Sequence, residues 1–195
     1  MAEGAVNNYK VVAIGGSAGS LETVLDIIQQ LPDSPGAVFI IVVHRKNDKE
    51  SILQNLIAQK TRLTVVEVED KEMIRPNTIY LAPPDYHLLV ENESTFSLDA
   101  SDKIHFSRPS IDVTFESIAE IFKERVIGIL LSGSNADGAQ GMARIKSLDG
   151  RTIAQNPETS EVGYMPQQAI RLGCVDRVVH GENIGRTLLN ELGSL

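Results

Sequence analysis

The sequence predicts an α/β fold: a doubly wound, mostly parallel sheet with helices on both faces and an antiparallel β-hairpin insertion. Three observations predict it. Apolar segments of strand length alternate with segments of helical periodicity. The longest apolar segment, at residues 37–43, has no polar position, and glycine-rich turns separate strands from helices. At 195 residues and 42% hydrophobic content, the chain is expected to form one domain with a sizeable core.

The first part of the chain contains two strand–helix units. Residues 9–14 are strong strand formers, the turn GGSAG follows at residues 15–19, and apolar side chains recur at helical spacing over residues 21–31. The apolar run at residues 37–43 predicts a strand covered on both faces, and a helix is predicted from residue 52. Two such units in succession predict parallel strands.

The region between residues 64 and 106 predicts β-structure of a different kind. Valines alternate with acidic residues at 64–69, which predicts a strand at the edge of the sheet with one side in water. Short strand-like pieces follow at residues 78–81, 87–90 and 95–98, separated by prolines and polar residues. We interpret them as an antiparallel hairpin inserted in, or appended to, the parallel sheet.

Alternating strands and helices return in the second half of the chain. The predicted order is a helix at 112–123, a buried strand at 126–131, a helix at 139–148, a short strand at 152–154, a helix that Pro166 opens at its first position and Gly173 closes, a strand at 174–179 and a final helix from 182. No repeat, linker or low-complexity tract interrupts this pattern, which favours a single domain over residues 1–195.

Composition and charge argue against several classes of protein. Acidic residues outnumber basic ones by 26 to 18, and the net charge of −8 does not fit the basic surface that binds nucleic acid. The longest apolar run is far shorter than the roughly 20 residues of a membrane-spanning helix, and the first ten residues lack the apolar segment of a signal peptide. The single cysteine, Cys174, is predicted to be a buried thiol. We expect an unprocessed cytoplasmic protein without nucleic-acid binding or membrane insertion.

Three chemically useful side chains follow buried strands. Ser17 follows the first strand, His44 directly follows the second, and Asp137 lies in the loop after a later strand. In open parallel sheets the carboxyl ends of the strands line the ligand crevice, so we expect the three side chains at one edge of the sheet. Serine, histidine and aspartate together supply a nucleophile, a general base and a carboxylate that orients the base.

Ser17 lies in a turn that matches the pattern G-x-S-x-G between a strand and a helix. Flanking glycines there allow a sharp turn that lifts the hydroxyl into the crevice and directs the Ala18 N–H toward a developing oxyanion. The alternative is a glycine-rich turn whose serine only caps the helix. A nucleotide-binding turn fits less well, because the glycines lack G-x-G-x-x-G spacing, no P-loop motif occurs, and His44 stands where an acidic residue would contact a ribose.

His44 and Asp137 also have simpler interpretations. A histidine after a strand is more often a hydrogen-bonded loop residue, and Asp-Gly before Ala139 is typical of an aspartate that caps the following helix. The two roles of Asp137 are compatible if one carboxylate oxygen serves the helix and the other contacts the imidazole. The order serine, histidine, aspartate along the chain differs from that of the α/β-hydrolases, so that superfamily is not predicted.

The remaining polar candidates indicate structural roles. No second ligand stands at metal spacing beside His87, His105 or His180, so no metal site and no organic cofactor are predicted. Four acidic residues are expected to form the solvated face of the edge strand: Glu67, Glu69, Asp70 and Glu72. Basic residues after His44, beside Asp48 and Glu50, either begin a helix or form a patch that steers an acidic partner: Arg45, Lys46 and Lys49.

Six segments together resemble the catalytic domain of CheB-type protein-glutamate methylesterases, enzymes that remove methyl groups from chemoreceptors. The segments are AIGGSAG (13–19), VH (43–44), YLAP (80–83), RPSIDVTF (108–115), SNADGA (134–139) and TIAQN (152–156). The resemblance spans residues 11–192. Several motifs in the right order are more specific than any one of them alone.

The resemblance implies a role for each of the three side chains. Ser17 would be the nucleophile, His44 the general base and later acid, and Asp137 the carboxylate that orients His44. The implied reaction is hydrolysis of glutamate γ-methyl esters on a chemoreceptor or related signalling protein to glutamate and methanol, and the family also deamidates certain receptor glutamines. The rival hypothesis is a non-catalytic module that keeps the fold and binds a partner without turnover.

The sequence departs from the family pattern around the implied site. The family commonly has STGG at the nucleophile and HMP at the base, whereas this chain has SAGS at residues 17–20 and HRK at residues 44–46. Family members usually carry an N-terminal phosphorylatable receiver domain, for which we expect no room here. The expectation is one catalytic domain, either unregulated by phosphorylation in cis or part of a larger protein.

Overall fold

The computed structural model describes residues 9–45 and 52–193, in which strands and helices alternate except for four successive strands between residues 64 and 99. The strands are β1 (Lys10–Gly16), β2 (Ala37–Val43), β3 (Thr64–Glu67), β4 (Thr78–Leu81), β5 (His87–Asn92), β6 (Thr95–Asp99), β7 (Val126–Leu130), β8 (Arg151–Gln155) and β9 (Arg177–Val179). The helices are α1 (Leu21–Gln29), α2 (Ile52–Ala58), α3 (Ile111–Phe122), α4 (Ala139–Ser147), α5 (Tyr164–Arg171) and α6 (Gly181–Leu192).

Within these ranges, seven strands form one sheet in the order β3-β4-β2-β1-β7-β8-β9. Every neighbouring pair in the sheet is parallel, so all seven strands end at the same edge. The chain builds the sheet outward from β1 on one side and then returns to the other side of β1 with β7. The carboxyl ends of β1 and β7 therefore flank the topological switch point, where ligands of such folds bind.

Helices cover both faces of the sheet, as predicted. In β1, Val11 and Ala13 pack in a cluster with side chains of α3, α4 and α5. Val12 and Ile14 point the other way and pack in a second cluster with side chains of α1, α2 and α6. Successive residues of a strand face opposite sides of the sheet, which is why a strand covered on both sides is apolar at every position.

The predicted hairpin is formed by only two of the three strand-like pieces. β5 and β6 pair antiparallel in a separate two-stranded sheet. This hairpin is attached to α3, because Thr114 Oγ1 donates to the Leu88 carbonyl at 2.8 Å and the Val90 N–H donates to Ser117 Oγ at 3.1 Å. The remaining piece, β4, is a parallel strand of the main sheet between β2 and β3. A buried four-residue strand has too short a pattern to indicate its direction of pairing.

The structure confirms the predicted edge strand but places Pro166 differently in its helix. β3 lies at one edge of the sheet, as its alternating pattern predicts. α5 begins at Tyr164, so Pro166 is its third residue and not its first. Proline is tolerated throughout the first helical turn because those N–H groups have no acceptor within the helix. In the described ranges, no helix has both the length and the apolar character needed to cross a membrane.

Candidate active site

The turn between β1 and α1 presents Ser17 at the carboxyl edge of the sheet. The Ser17 N–H donates to the Ser132 carbonyl at 2.9 Å, and the Ser17 carbonyl accepts hydrogen bonds from the Ser20 N–H at 3.1 Å and the Ser20 hydroxyl at 2.7 Å. Gly19 has φ +74° at the third position of this turn, a conformation that favours glycine. Ser20, not Ser17, precedes α1 as its capping residue, so the interpretation of Ser17 as a helix cap is wrong.

The end of β2 places His44 beside this turn. Val43 is in register with Gly16, and the His44 N–H donates to the Gly16 carbonyl at 3.2 Å. The His44 imidazole uses both ring nitrogens: Nε2 lies 2.7 Å from Asp137 Oδ2, and Nδ1 lies 3.3 Å from Ser107 Oγ. The sequence prediction that His44 and Asp137 meet at the sheet edge therefore agrees with the structure.

Asp137 is completely buried and receives four hydrogen-bond donors. Besides His44, its carboxylate accepts from the Ser110 hydroxyl at 2.8 Å, the Ile111 N–H at 2.7 Å and the Asp112 N–H at 2.9 Å. These donors belong to the N-terminus of α3, whose unsatisfied N–H groups and dipole favour an anion. Asp137 therefore accepts hydrogen bonds from the N-terminus of α3. The Asp-Gly pattern had suggested that it caps the following helix, α4, and that interpretation is wrong.

The charge of Asp137 determines which ring nitrogen of His44 carries the proton. Burial by itself would raise the pKa of the Asp137 carboxyl, but hydrogen bonds from His44 and from the backbone of Asp112 and Ile111 hold its pKa below the ordinary value. An ionised carboxylate can only accept hydrogen bonds. Nε2 of neutral His44 therefore carries the proton, and Nδ1 is left with the lone pair that can take a proton from a hydroxyl.

A second carboxyl group lies beside Asp137. Asp112 Oδ1 accepts the Gly141 N–H at 2.8 Å, and its Oδ2 lies 3.5 Å from His105 Nε2. Burial, together with the Asp137 carboxylate, raises the pKa of Asp112 to about 6. Two carboxyl groups at one helix terminus thus differ in character, because four donors surround the Asp137 carboxylate, whereas Asp112 accepts one backbone N–H and has its imidazole at 3.5 Å.

Ser17 and His44 line a common cavity of about 280 Å³ with mostly apolar walls, to which Leu21, Val43 and Leu53 contribute. Within residues 9–45 and 52–193, no hydrogen bond joins Ser17 Oγ to His44. Such bonds are often long before substrate binds and tighten in the reactive complex. The structure thus brings His44 and Asp137 into direct contact and Ser17 to the adjacent strand end.

Three supporting serines were not identified from the sequence. Ser132 holds the nucleophile turn, since its hydroxyl donates to the Ala18 carbonyl at 2.7 Å. Ser110 contacts Asp137, and Ser107 contacts His44, as described above. Ser107 directly precedes the motif RPSIDVTF, and Ser110 is its third residue. The motif was therefore the available signal for both serines.

His87 and His180 lie at positions that fit the structural roles predicted for them. His87 is buried, accepts the Ser110 N–H on Nδ1 at 3.1 Å and contacts the Asp102 carbonyl through Nε2 at 3.0 Å, so it is neutral with its proton on Nε2. His180 directly precedes α6. The described part of the chain contains no group of three potential metal-ligating side chains. The predicted basic patch is seen only at Arg45, because Lys46, Asp48, Lys49 and Glu50 lie outside the described residues.

The fold and the site define a doubly wound α/β protein with serine, histidine and aspartate at its switch point. Residues 12–188 match the family model described as CheB methylesterase. A Leptospira interrogans protein with the provisional name protein-glutamate methylesterase/protein-glutamine glutaminase is 37% identical over 182 residues, which cover 93% of this chain and 94% of that protein. The crystal structure of the Thermotoga maritima CheB methylesterase catalytic domain matches with a TM-score of 0.89 and 35% identity, over 94% of this chain and 99% of that one.

The chain belongs to the CheB methylesterase family, as its motifs predicted. Protein-glutamate methylesterase FrzG of Myxococcus xanthus is 34% identical over 181 residues, but the match covers 93% of this chain and only 54% of that protein. The chain thus spans nearly the full length of the Leptospira relative and about half the length of several others. The predicted α/β architecture is that of the Thermotoga catalytic domain.

Proposed function

We propose that this chain is a protein-glutamate methylesterase in which Ser17, His44 and Asp137 act as nucleophile, general base and orienting carboxylate. The observation that carries the proposal is the 2.7 Å contact between His44 Nε2 and a buried, ionised Asp137, which leaves Nδ1 as a proton acceptor at the strand end next to Ser17. Family membership and the names of the relatives support the same activity.

The proposed reaction has two halves. With substrate bound, His44 Nδ1 exchanges its contact with the Ser107 hydroxyl for one with Ser17 Oγ, and it takes the Ser17 proton as that oxygen attacks the γ-carbonyl carbon of a glutamate methyl ester. The protonated imidazole, stabilised by Asp137, then returns that proton to the departing methoxide, which leaves as methanol. Water next attacks the acyl-enzyme by the same route and releases the glutamate carboxylate and free Ser17.

Backbone groups in the nucleophile turn are suited to stabilise the developing oxyanion. The Ser17 N–H is already used by the Ser132 carbonyl. We expect the next amide, that of Ala18, to donate to the oxyanion, because the N-terminal turn of α1 directs its amides toward the sheet edge. The Ser17 carbonyl shares a peptide unit with the Ala18 N–H, and its hydrogen bonds from the Ser20 N–H and the Ser20 hydroxyl fix the orientation of that unit.

The proposed substrate is a methylated chemoreceptor or a related signalling protein in the cytoplasm. The double name of the Leptospira relative supports a second reaction of the same acyl-enzyme, hydrolysis of a glutamine side chain with loss of ammonia. Both reactions place an uncharged carbonyl against Ser17, and neither requires a metal ion or organic cofactor. The activity is proposed for one catalytic domain that spans the chain.

Release of methanol from a methylated receptor fragment tests the proposal. We expect release by the wild-type chain, no release by Ser17→Ala, and wild-type release by Ser97→Ala, a matched change on β6. Absence of release by the wild type, or equal release by Ser17→Ala, would contradict the proposal. In the first case the non-catalytic binding module becomes the better description.

A further inference from the structure

A second cavity is lined by His44, which also lines the apolar cavity around Ser17. Its volume is about 400 Å³. Cationic side chains are prominent among its walls, although the whole chain carries a net charge of −8. The lining residues are His44, Arg45, Asp85, Lys103, Phe106, Ser107 and Arg108.

The loop that supplies most of these residues is well braced by hydrogen bonds. The Ile104 N–H donates to the Ser107 carbonyl at 3.2 Å, and the Ser107 N–H donates to the Ile104 carbonyl at 2.9 Å. The two residues between them, His105 and Phe106, have φ values of 49° and 62°, which is typical of a tight type I′ turn. Arg108 Nη1 closes the base of the loop by donating to two backbone carbonyls, those of residues 100 and 101, at 2.7 Å each.

The cations of this cavity differ in how their charges are compensated. Arg45 forms an ion pair with Glu67. Glu67 is half-buried, so the prediction that it belongs to a solvated acidic face of the edge strand is wrong for this residue. Arg108 contacts carbonyl groups, which carry no net charge. Across residues 9–45 and 52–193, the ion pairs include no carboxylate partner for Lys103 or Arg108. Lys103 and Arg108 thus line the cavity together with Asp85, and no described carboxylate lies within ion-pair distance of either cation.

We propose that this cavity is a subsite for a carboxylate side chain of the substrate, with Lys103 and Arg108 as the cations that attract it. The inference rests on the proposed function. A substrate whose ester lies at Ser17 can reach this cavity, because His44 lines both this cavity and the one that contains Ser17. A methyl ester is uncharged and gains little from a nearby cation. The subsite therefore selects a neighbouring acidic residue of the same segment, and the protein prefers esterified glutamates in acidic sequences.

The expected effect is moderate because Lys103 is exposed to solvent. Attraction between exposed charges is weakened by water and by salt. We expect an acidic neighbour to raise kcat/KM by about three- to tenfold at low ionic strength, mainly through KM. The preference should shrink as salt is added.

Pairs of synthetic peptides with one glutamate γ-methyl ester test the subsite. One member carries an aspartate at a chosen position and the other an asparagine, and the position is moved from four residues before the ester to four after it. Methanol release gives kcat/KM for each pair. We expect the wild type to prefer aspartate at one or more positions, Lys103→Gln to lose that preference, and Lys103→Glu to reverse it.

The matched control removes an equal charge elsewhere. Lys123 is exposed and lies shortly before β7, at the opposite edge of the sheet, so Lys123→Gln should keep the wild-type preference. Equal rates for aspartate and asparagine at every position, or a preference unchanged in Lys103→Gln, would overturn the subsite while the esterase activity stands.

Binding to the Ser17→Ala protein separates the subsite from the chemistry. Fluorescence anisotropy with the same peptide pairs should show tighter binding of the aspartate peptide, and Lys103→Gln in this background should remove the difference. If the wild type released no methanol from any peptide, the proposed function would fail, whereas the binding preference would still support or overturn the subsite.

Discussion

The two ends of the candidate active site differ in how firmly the fold holds them. Asp137 is inaccessible to solvent and has four donors around its carboxylate. Ser17 is partly exposed, is held through its backbone, and its side chain opens to a cavity. The carboxylate end is thus built into the packing of α3, while the nucleophile end is left accessible to substrate. Substitutions at the two ends should therefore affect activity alike and stability very differently.

The largest expected effect on activity is at the accessible end. Ser17→Ala removes the attacking oxygen, so we expect kcat to fall by a factor on the order of 10⁴ or more. Because the side chain is partly exposed, the free energy of unfolding should change by less than about 0.5 kcal/mol. Methanol release and urea unfolding measure the two quantities. A large loss of stability in Ser17→Ala would break the contrast between the two ends.

Asp137→Asn should impair both activity and stability. The amide disfavours the His44 tautomer that carries its proton on Nε2, so we expect kcat to fall by a factor on the order of 10⁴. We also expect a loss of about 2–4 kcal/mol in the free energy of unfolding, because an NH₂ group would face buried N–H donors of α3. Unfolding in urea measures that loss. Wild-type stability would show that the contacts with α3 contribute little.

Asp112→Asn sharpens the comparison between the two carboxyl groups. The pKa of Asp112 is raised to about 6 in the folded state, so the folded protein binds more protons than the unfolded one between pH about 4 and about 6. The contribution of Asp112 to the free energy of unfolding therefore falls as the pH rises through this window, by about 2–3 kcal/mol. The asparagine variant should be more stable than wild type at pH 8, with no such gain at pH 4.

Urea unfolding at pH 4 and pH 8 measures this difference, with Asp26→Asn on the exposed surface of α1 as the matched control. An equal effect of Asp112→Asn at both pH values would show that Asp112 is ionised in the folded protein throughout. A depressed pKa gives the opposite sign for Asp137, whose contribution to stability is present above its unfolded pKa and is lost as the pH falls through its folded value.

Ser107→Ala should have the smallest effect. The Ser107 hydroxyl lies 3.3 Å from His44 Nδ1, a long hydrogen bond that helps to orient the ring. Asp137 fixes the other nitrogen, so we expect kcat to fall by less than about fivefold with KM unchanged. Rescue by Ser107→Thr would support an orienting role. A loss of a hundredfold or more would show that Asp137 alone does not hold the imidazole.

Local sequence patterns predicted much of the fold and the residues of the site. The periodicity of apolar residues located β1, β2, β7 and most helices, and the rule that ligands bind at the strand ends directed attention to Ser17, His44 and Asp137. What the sequence could not show depends on long-range packing. The partner of Asp137 is a helix that begins 26 residues earlier in the chain, and no local pattern distinguishes it from the helix that follows directly.

The same limit explains the other differences. β4 is as short as a hairpin strand, and only its packing between β2 and β3 makes it parallel. The Ser107 hydroxyl reaches a histidine 63 residues away, and its loop has no pattern of its own. The pairing of Arg45 with Glu67 joins a strand end to an edge strand, so a basic patch and an acidic face read separately in the sequence partly neutralise each other in space.

Covalent labelling of the nucleophile tests the central claim most directly. A fluorophosphonate probe reacts with a serine only when a neighbouring base activates its hydroxyl, and peptide mass spectrometry locates the adduct. The proposed arrangement predicts an adduct on Ser17 in the wild type and almost none in His44→Ala or Asp137→Asn. An adduct on another serine, or labelling of Ser17 that is unchanged without the His44 imidazole, would contradict it.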